Sequence, residues 1–538
     1  MKRILPIFLI SALLISGCAS DNVSKNDKIA FASKFESENK ITLSDEKIEF
    51  NGKAVGESGD VFLSHDIIYY EEKDKYESGN PYGEGKEKDM HSEDEANSHS
   101  VLNITKSGSY RISGTLSSGQ IRVDLGKDAK DNPDAVVELI LDNANITCTV
   151  APAILFVNVY ECDYDWSLEN ASFDVDTSDA GATLVLADGS ENNVHGSYVE
   201  KIFKDESDEK KLWKQDGAIY SYMSMNVFGN GTLNLFAENE GLDTELHLTI
   251  NGGNINIYSD NDGINTNEDG VSVTTINGGN LNIVAGLGSE GDGIDSNGWL
   301  IINGGNVISS ANPMADAGLD SDMGSYINGG TVVALGSTMD WPESDSDQVT
   351  INLQFAQSQK AESEIVVKDN KGNVVFQYKP TKEELTEGKM RDFRGAVISS
   401  PEFKVGEEYT VYIDGVKQGY TGTDLRGFHG GRPDFSDGKI PEGERPTPPD
   451  GEFPKGEGPA RPDGEFPKGE RPARPDGEFP KGERPARPDG EWQKGDMPQK
   501  GETPQMRPEQ TDNTSTEQKD IFLTADKVNR FSGVSGIR

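Results

Sequence analysis

The chain has 538 residues, enough for about three or four domains, yet only 34% of them are hydrophobic while Gly (60) and Pro (25) are abundant. Part of it therefore cannot bury a core. The formal charge of −42, from 93 acids against 51 bases, excludes a chain built to hold nucleic acid or an anionic membrane surface directly, because both need a basic patch. Three cysteines exclude a disulfide-rich scaffold and a zinc site of four thiolates. What remains is an acidic, glycine-rich, secreted protein with one large folded part and some disordered chain.

The first element is an export signal over residues 1–17. Lys2 and Arg3 precede an apolar run from Ile4 to Leu14 that is too short to span a bilayer. It ends in Leu14-Ile15-Ser16-Gly17-Cys18, which resembles a bacterial lipobox. That resemblance implies lipidation of Cys18, a cell-surface location, and contact with the membrane through the lipid anchor only. Residues 18–40 read as a polar tether, and residues 71–99 as a long polar loop.

The informative region follows, within a folded domain expected over 41–340. Ile250-Asn251-Gly252-Gly253 recurs at Ile276, Ile302 and Ile327, at spacings of 26, 26 and 25. Each copy precedes a short alternation such as Asn254-Ile255-Asn256-Ile257, the period of a strand with one buried face. A fixed period in the twenties, with strands and Asn-Gly turns, predicts a solenoid. The leucine-rich pattern and the nine-residue calcium repeat are both missing. A parallel β-helix with one coil per repeat fits, with Gly and Asn at corners that need positive φ. Asn251, Asn277, Asn303 and Asn328 should then stack as an amide ladder.

A second motif repeats in phase: Glu240-Gly241-Leu242-Asp243, Asp262-Gly263-Ile264-Asn265, Asp292-Gly293-Ile294-Asp295 and Ala317-Gly318-Leu319-Asp320. One column is Asp243, Asn265, Asp295 and Asp320; its neighbour is Glu240, Asp262, Asp292 and Ala317. With the aliphatic residue inward, the acids are expected outward at a turn or edge. Coils lie about 4.7–4.9 Å apart, and Ca2+ takes oxygens at roughly 2.3–2.6 Å, so the ion fits between two stacked carboxylates. From Gln215 to Gln359 there are 19 Asp and Glu and no Lys or Arg. No cation within this stretch can neutralise them. Oxygen donors favour calcium over zinc or copper, which makes Asp243, Asp262, Asn265, Asp292, Asp295 and Asp320 the candidate ligands. A solvated acidic face is the competing reading.

Cys148 and Cys162 are 14 residues apart. They suit a disulfide outside the cytoplasm and suit two buried free thiols equally. Residues 341–427 return to mixed charge and read as a small antiparallel β-module that caps the open edge. Residues 428–518 carry a 13-residue repeat, Asp-Gly-Glu-Phe-Pro-Lys-Gly-Glu, from Asp450, Asp463 and Asp476 and more loosely from Asp489. Its spaced Pro and Gly predict disorder. Residues 519–538 regain apolar content and are expected to pack back on the β-module.

Three stretches together resemble a family of secreted bacterial carbohydrate-binding domain-containing proteins. They are Gly108 to Leu116 with Ile121 to Asp124, Leu139 to Thr147, and the serial Asn-Gly-Gly and Asp-Gly-Ile coils. Ala396 to Gly415 is similar to the family's C-terminal part. The resemblance implies an all-β fold, a right-handed parallel β-helix carrying calcium, and binding of cellulose or pectic acid without established catalysis. It extends ligand roles to Asp262, Asp292, Asp295 and Asp320, while Ala317 breaks the pattern in the last coil. The function expected is a monomeric lipoprotein that binds polysaccharide. Trp213 and Trp299, with Trp166 and Trp341, are candidates to stack on sugar faces, although core or cap roles compete. A β-helix lyase or hydrolase is an alternative; a lyase base would have to come from Lys201, Lys204, Lys210, Lys211 or Lys214. A structural envelope protein or adhesin is another.

Overall fold

The Asn-Gly-Gly and Asp-Gly-Ile repeats place their strands in register on one another. The computed structural model describes residues 30–70, 82–84, 89–163, 167–203, 213–337, 341–386, 389–423 and 518–537. The export signal, Cys18 and the 13-residue repeat lie outside the described residues. Three ladders of parallel strands dominate. The first runs through Glu240–Thr244, Ile264–Thr266, Ile294–Ser296 and Asp320–Ser321. The second runs through Met225–Gly229, Leu248–Ile250, Val273–Ile276, Trp299–Ile302 and Gly324–Ile327. The third runs through Thr232–Ala237, Asn254–Ser259, Asn280–Val284, Asn306–Ser310 and Thr331–Gly336. Each passage of the chain, called a coil below, gives one strand to each ladder.

The core follows from the aliphatic columns. Leu242, Ile264 and Ile294 oppose one another on the first ladder, and Ile250, Ile276, Ile302 and Ile327 on the second. All belong to one buried cluster, and each such side chain contributes roughly 1.5–3 kcal/mol of burial. The corners between the second and third ladders need glycine. Gly253, Gly279, Gly305 and Gly330 have φ of 103°, 96°, 87° and 84°. A Cβ on Gly279 would lie 2.8 Å from the Gly253 carbonyl oxygen, and one on Gly305 2.8 Å from that of Gly279. Only a residue without a side chain lets successive corners approach this closely.

Both edges of the stack are occupied. Glu38–Leu43 pairs in parallel with Gly108–Leu116. Just before it, Ser33 Oγ donates to Glu138 at 2.6 Å and Lys34 pairs with Asp179 at 3.0 Å. The stretch 30–40, read from sequence as polar tether, thus lies against the fold. At the other edge Phe393–Ser399 runs antiparallel to Thr331–Gly336. Thr350–Gln359 lies beside it and takes Val528–Gly536 in parallel. Tyr420, Phe522 and Phe531 meet at centroid distances of 4.8–4.9 Å. Among the described residues the α-helices are Glu93–Asn97 and Lys382–Thr386, five residues each. The first of these and the strand Tyr82–Glu84 interrupt what the sequence presents as one loop over 71–99.

Of the two readings of the cysteines, the structure has free thiols: Cys148 is buried and Cys162 half-buried. Cys148 ends the strand Val137–Cys148, which continues into the third ladder. The chain then crosses to the first ladder as Ile154–Asn158 before it reaches Cys162. Burial pushes the Cys148 thiol up to about 12, so it is inert as a nucleophile.

Candidate functional site

The parallel register of the first ladder builds the acidic column. Tyr220, Asp243, Asn265, Asp295 and Asp320 are successive partners. They do not form a solvated face. Asp243 is 0% exposed, Asn265 5% and Asp262 8%; Asp292, Asp295 and Asp320 are half-buried. In the neighbouring column Asp262 and Asp292 each reach one coil on. Asp262 Oδ1 accepts the Asp292 backbone N–H at 2.7 Å, and Asp292 Oδ1 accepts that of Ala317. Ala317 has no carboxylate to continue the stair.

Too few donors meet these acids. Asp216 Oδ1, Glu240 Oε2, Asp243 Oδ2, Thr244 Oγ1 and Asn265 Oδ1 are buried with no hydrogen-bond partner. Burial first, then Glu240, holds the Asp243 carboxyl well above the usual carboxylate range. Asp262 is raised by burial, then by Glu240, Asp295 and Asp292. Burial with Asp320 and Asp295 nearby puts Asp292 at about 8, although its bond from Ala317 opposes this. Burial, Asp320 and Glu240 put Asp295 at about 7. Such a cluster must hold protons or a cation. Among the described residues no three His, Cys, Asp or Glu side chains converge at metal-ligand spacing. The orphan oxygens instead mix carboxylate, amide and hydroxyl, the donor set a hard divalent cation takes. The donor types fit such an ion, while no closed set of ligands forms among the described residues.

One cation of the protein's own does reach the column, against the expectation from composition. Lys214 Nζ pairs with Asp216 at 3.0 Å. It stands on Trp213–Gln215, which pairs with Val199–Phe203, which pairs in turn with Tyr82–Glu84. Burial alone would lower its ammonium, but Glu240, Asp216 and Asp243 outweigh burial and raise it. One ammonium faces seven buried or half-buried acids, Asp216 and Glu240 included, so most of the charge stays uncompensated.

The Asn-Gly-Gly corners make a second feature. Asn277 Nδ2 donates to Asn251 Oδ1 at 2.9 Å, Asn303 to Asn277 at 3.0 Å and Asn328 to Asn303 at 3.0 Å. The expected ladder is present. It borders a groove of about 1200 Å³ floored by the stacked glycines.

Residues 98–163 and 167–391, more than half of the sequence, match the family described as carbohydrate-binding domain-containing protein. The chain belongs to that family. A relative of the same description from Acetivibrio thermocellus is 34% identical over 153 residues. That match spans 28% of this chain and 43% of the relative's length. A solved structure described as a polysaccharide lyase-like protein from C. thermocellum, gadolinium derivative, aligns over 55% of this chain and 93% of its own. The identity there is 22% and the TM-score 0.32, too low to bear on fold or activity.

In this carbohydrate-binding domain protein neither Trp299 nor Trp341 is a free platform. Trp299 is 9% exposed. Phe173, from the excursion between Ile154–Asn158 and Ala182–Leu186, covers it at 6.4 Å and stacks on Tyr326 at 5.2 Å. A stacking role for Trp299 is therefore corrected: its indole belongs to a small outer core with Val273 and Ile301. Trp341 lies under the Arg530 guanidinium at 3.8 Å. Trp213 lies in the strand Trp213–Gln215; its side chain and Trp166 fall outside the described residues. Sequence reasoning missed Asp216 and the counter-ion role of Lys214. Asp216-Gly217-Ala218-Ile219 carries one residue more than Asp-Gly-Ile, so a strict repeat alignment slides past it.

Proposed function

We propose that the protein is a cell-surface lipoprotein that binds polysaccharide through a right-handed parallel β-helix with calcium in its acidic column. The observation that carries the reading is the set of buried, donor-free oxygens on Asp216, Glu240, Asp243, Thr244 and Asn265. Asp243, Asp262, Asn265, Asp292, Asp295 and Asp320 are the residues that would hold such ions, each ion between neighbouring coils, because no single ion spans the column. When bound, they would offset the column's charge and present coordination positions to sugar hydroxyls or carboxylates. Lys214 supports binding over lyase chemistry, because an ammonium held protonated by Glu240, Asp216 and Asp243 is a poor base. The parallel ladders and the aliphatic core that their inward columns share support the helix reading.

The test is co-sedimentation of the purified protein with polygalacturonate in calcium and in EDTA, with ultraviolet absorbance recorded for unsaturated product. Binding in calcium that is lost in EDTA, with flat absorbance, is the expected result. Rising absorbance makes the protein a lyase. No binding to polygalacturonate or to cellulose in either buffer removes the polysaccharide reading.

A further inference from the structure

The stretch Ala30 to Glu38 does not follow a coil; it crosses several. Glu38 opens the strand that pairs with Gly108–Leu116. Going back along the chain, the Lys34 backbone N–H donates to Glu138 Oε1 at 2.8 Å, one coil on. The Lys34 ammonium reaches Asp179, just before Ala182–Leu186, at 3.0 Å. Phe31 then packs at 5.5 Å on Phe228, in the strand Met225–Gly229. Gly108–Leu116, Val137–Cys148, Ala182–Leu186 and Met225–Gly229 are consecutive parallel partners. Seven residues of chain, from Glu38 back to Phe31, thus climb three coils. Ala30 and Phe31 line the groove, and the next coil, Leu248–Ile250, opens the first Asn-Gly-Gly corner. From there the groove is lined by glycine and asparagine alone. One rail is the amide ladder through Asn251 and Asn277; the other is Asn254 and Asn280, joined at 2.8 Å. An amide has two N–H groups and two lone pairs, and the bonds along a rail spend one of each.

We propose that residues 19–29 continue this climb and dock in the groove, so that the surface along the Asn-Gly-Gly corners takes a segment of the protein's own chain as its partner. The length fits. Four coils separate Met225–Gly229 from Gly324–Ile327, the strand before the last corner. At seven residues per three coils they need about nine residues, and an extended chain at about 3.3 Å per residue covers coils about 4.8 Å apart with slack to spare. Nine residues back from Phe31 is Asn22. The chemistry fits too. The segment sets Asp21 and Asp27 against Lys25 and Lys28, with Ser and Asn among them, so a neutral segment meets a neutral groove. Its backbone offers an N–H and a C=O at each residue to the unspent amide groups. The bare glycine floor leaves room for that backbone. Alternate residues of an extended chain share a face, which puts Ile29 on the side of Phe31. Docked in this way, the segment would bring residue 18 to the edge of the stack that Phe393–Ser399 covers, and so set which end of the stack faces whatever Cys18 is attached to. This docking goes beyond the polysaccharide reading and stands without it.

The test is hydrogen–deuterium exchange of the full-length protein, read on the amides of residues 19–29 against a synthetic peptide of the same sequence. In the protein these amides should exchange at least about tenfold more slowly than in the peptide. Asn254→Asp with Asn280→Asp puts two carboxylates on one rail and removes the N–H that Asn280 donates. It should bring residues 19–29 to within about twofold of the peptide rate, while Leu248–Ile250 and Val273–Ile276 stay protected. Phe31→Ala should speed exchange of the segment several-fold. Exchange at the peptide rate in the parent overturns the docking. Protection that survives both variants also overturns it, because the segment would then be held elsewhere. If the double variant loses protection on Leu248–Ile250 as well, its fold is damaged and Phe31→Ala alone decides: faster exchange confined to residues 19–29 upholds the docking, and unchanged exchange removes it.

Discussion

Replacing Asp295 with Asn separates the two ways the acidic column can be satisfied. Asp295 lies between Asn265 and Asp320 in the register. Burial, Asp320 and Glu240 lift its carboxyl from 3.8 to about 7. The sign follows from proton counting. Below pH 3.8 folded and unfolded chains both hold the proton, and the group does not affect stability. Between 3.8 and about 7 the unfolded chain has released it and the folded chain has not, so stability falls as pH rises. Above about 7 the loss is complete. At about 1.4 kcal/mol per pH unit the ceiling is ~4 kcal/mol. With an unfolding entropy of about 2.1 cal/mol/K per residue over roughly 400 folded residues, that is at most ~5 °C of melting temperature. Asn keeps the shape and carries no charge. In EDTA at pH 8, D295N should therefore melt higher than the parent, and near pH 4 the difference should vanish. In millimolar calcium the order should reverse, because the parent gains a neutralised column and the variant has lost a ligand. Circular dichroism melts at pH 4.5, 6 and 8, with and without calcium, read all of this. A parent whose EDTA melt is flat from pH 4.5 to 8, and which calcium does not raise, would refute the argument.

Three further outcomes are expected. Ile276→Ala, in the middle of the aliphatic column on the second ladder, should cost about 2–5 kcal/mol, read as a lower urea midpoint; a loss under 1 kcal/mol would mean the stack collapses onto the cavity. Gly279→Ala places a Cβ 2.8 Å from the Gly253 carbonyl at φ 96°, and should cost about 1–3 kcal/mol; an unchanged melt would show that the corner relaxes freely. Cys148 should stay unreactive toward a thiol reagent in the folded protein, and Cys148 and Cys162 should both titrate without reductant once it is unfolded; thiols missing from that titration would reinstate the disulfide.

The repeats were legible in the sequence because Asn-Gly-Gly recurs at spacings of 26, 26 and 25, and the Asp-Gly-Ile motif, though spaced 22, 30 and 25, recurs once between each pair of copies. Once Leu242, Ile264 and Ile294 face inward together, Asp243, Asn265 and Asp295 have no choice but to stack. What was not legible comes from chain that carries no period. Lys214 lies just before the lysine-free stretch, on an excursion whose strands pair with one another and with Tyr82–Glu84, so neither composition nor repeat alignment could place its ammonium on Asp216. The same holds for Trp299, whose outward position is covered by Phe173 from an excursion more than a hundred residues earlier. The spacing of Cys148 and Cys162 gives the length of chain between them but not which ladder each one occupies.

The two corners of the coil also end at different places. The carboxylate stair stops at Asp292, since Ala317 accepts nothing from the coil beyond. The amide rail runs one coil further, Asn303 to Asn328, and its glycine floor continues to Gly330. An amide ladder tolerates extension because each added Asn brings its own donor and acceptor and no charge. An acid column does not, because every added carboxylate raises its neighbours, as Asp320 already does to Asp295 and Asp292. Charge therefore accumulates along the column, which reaches Asp320 in the same last coil as Asn328, whereas the rail adds none.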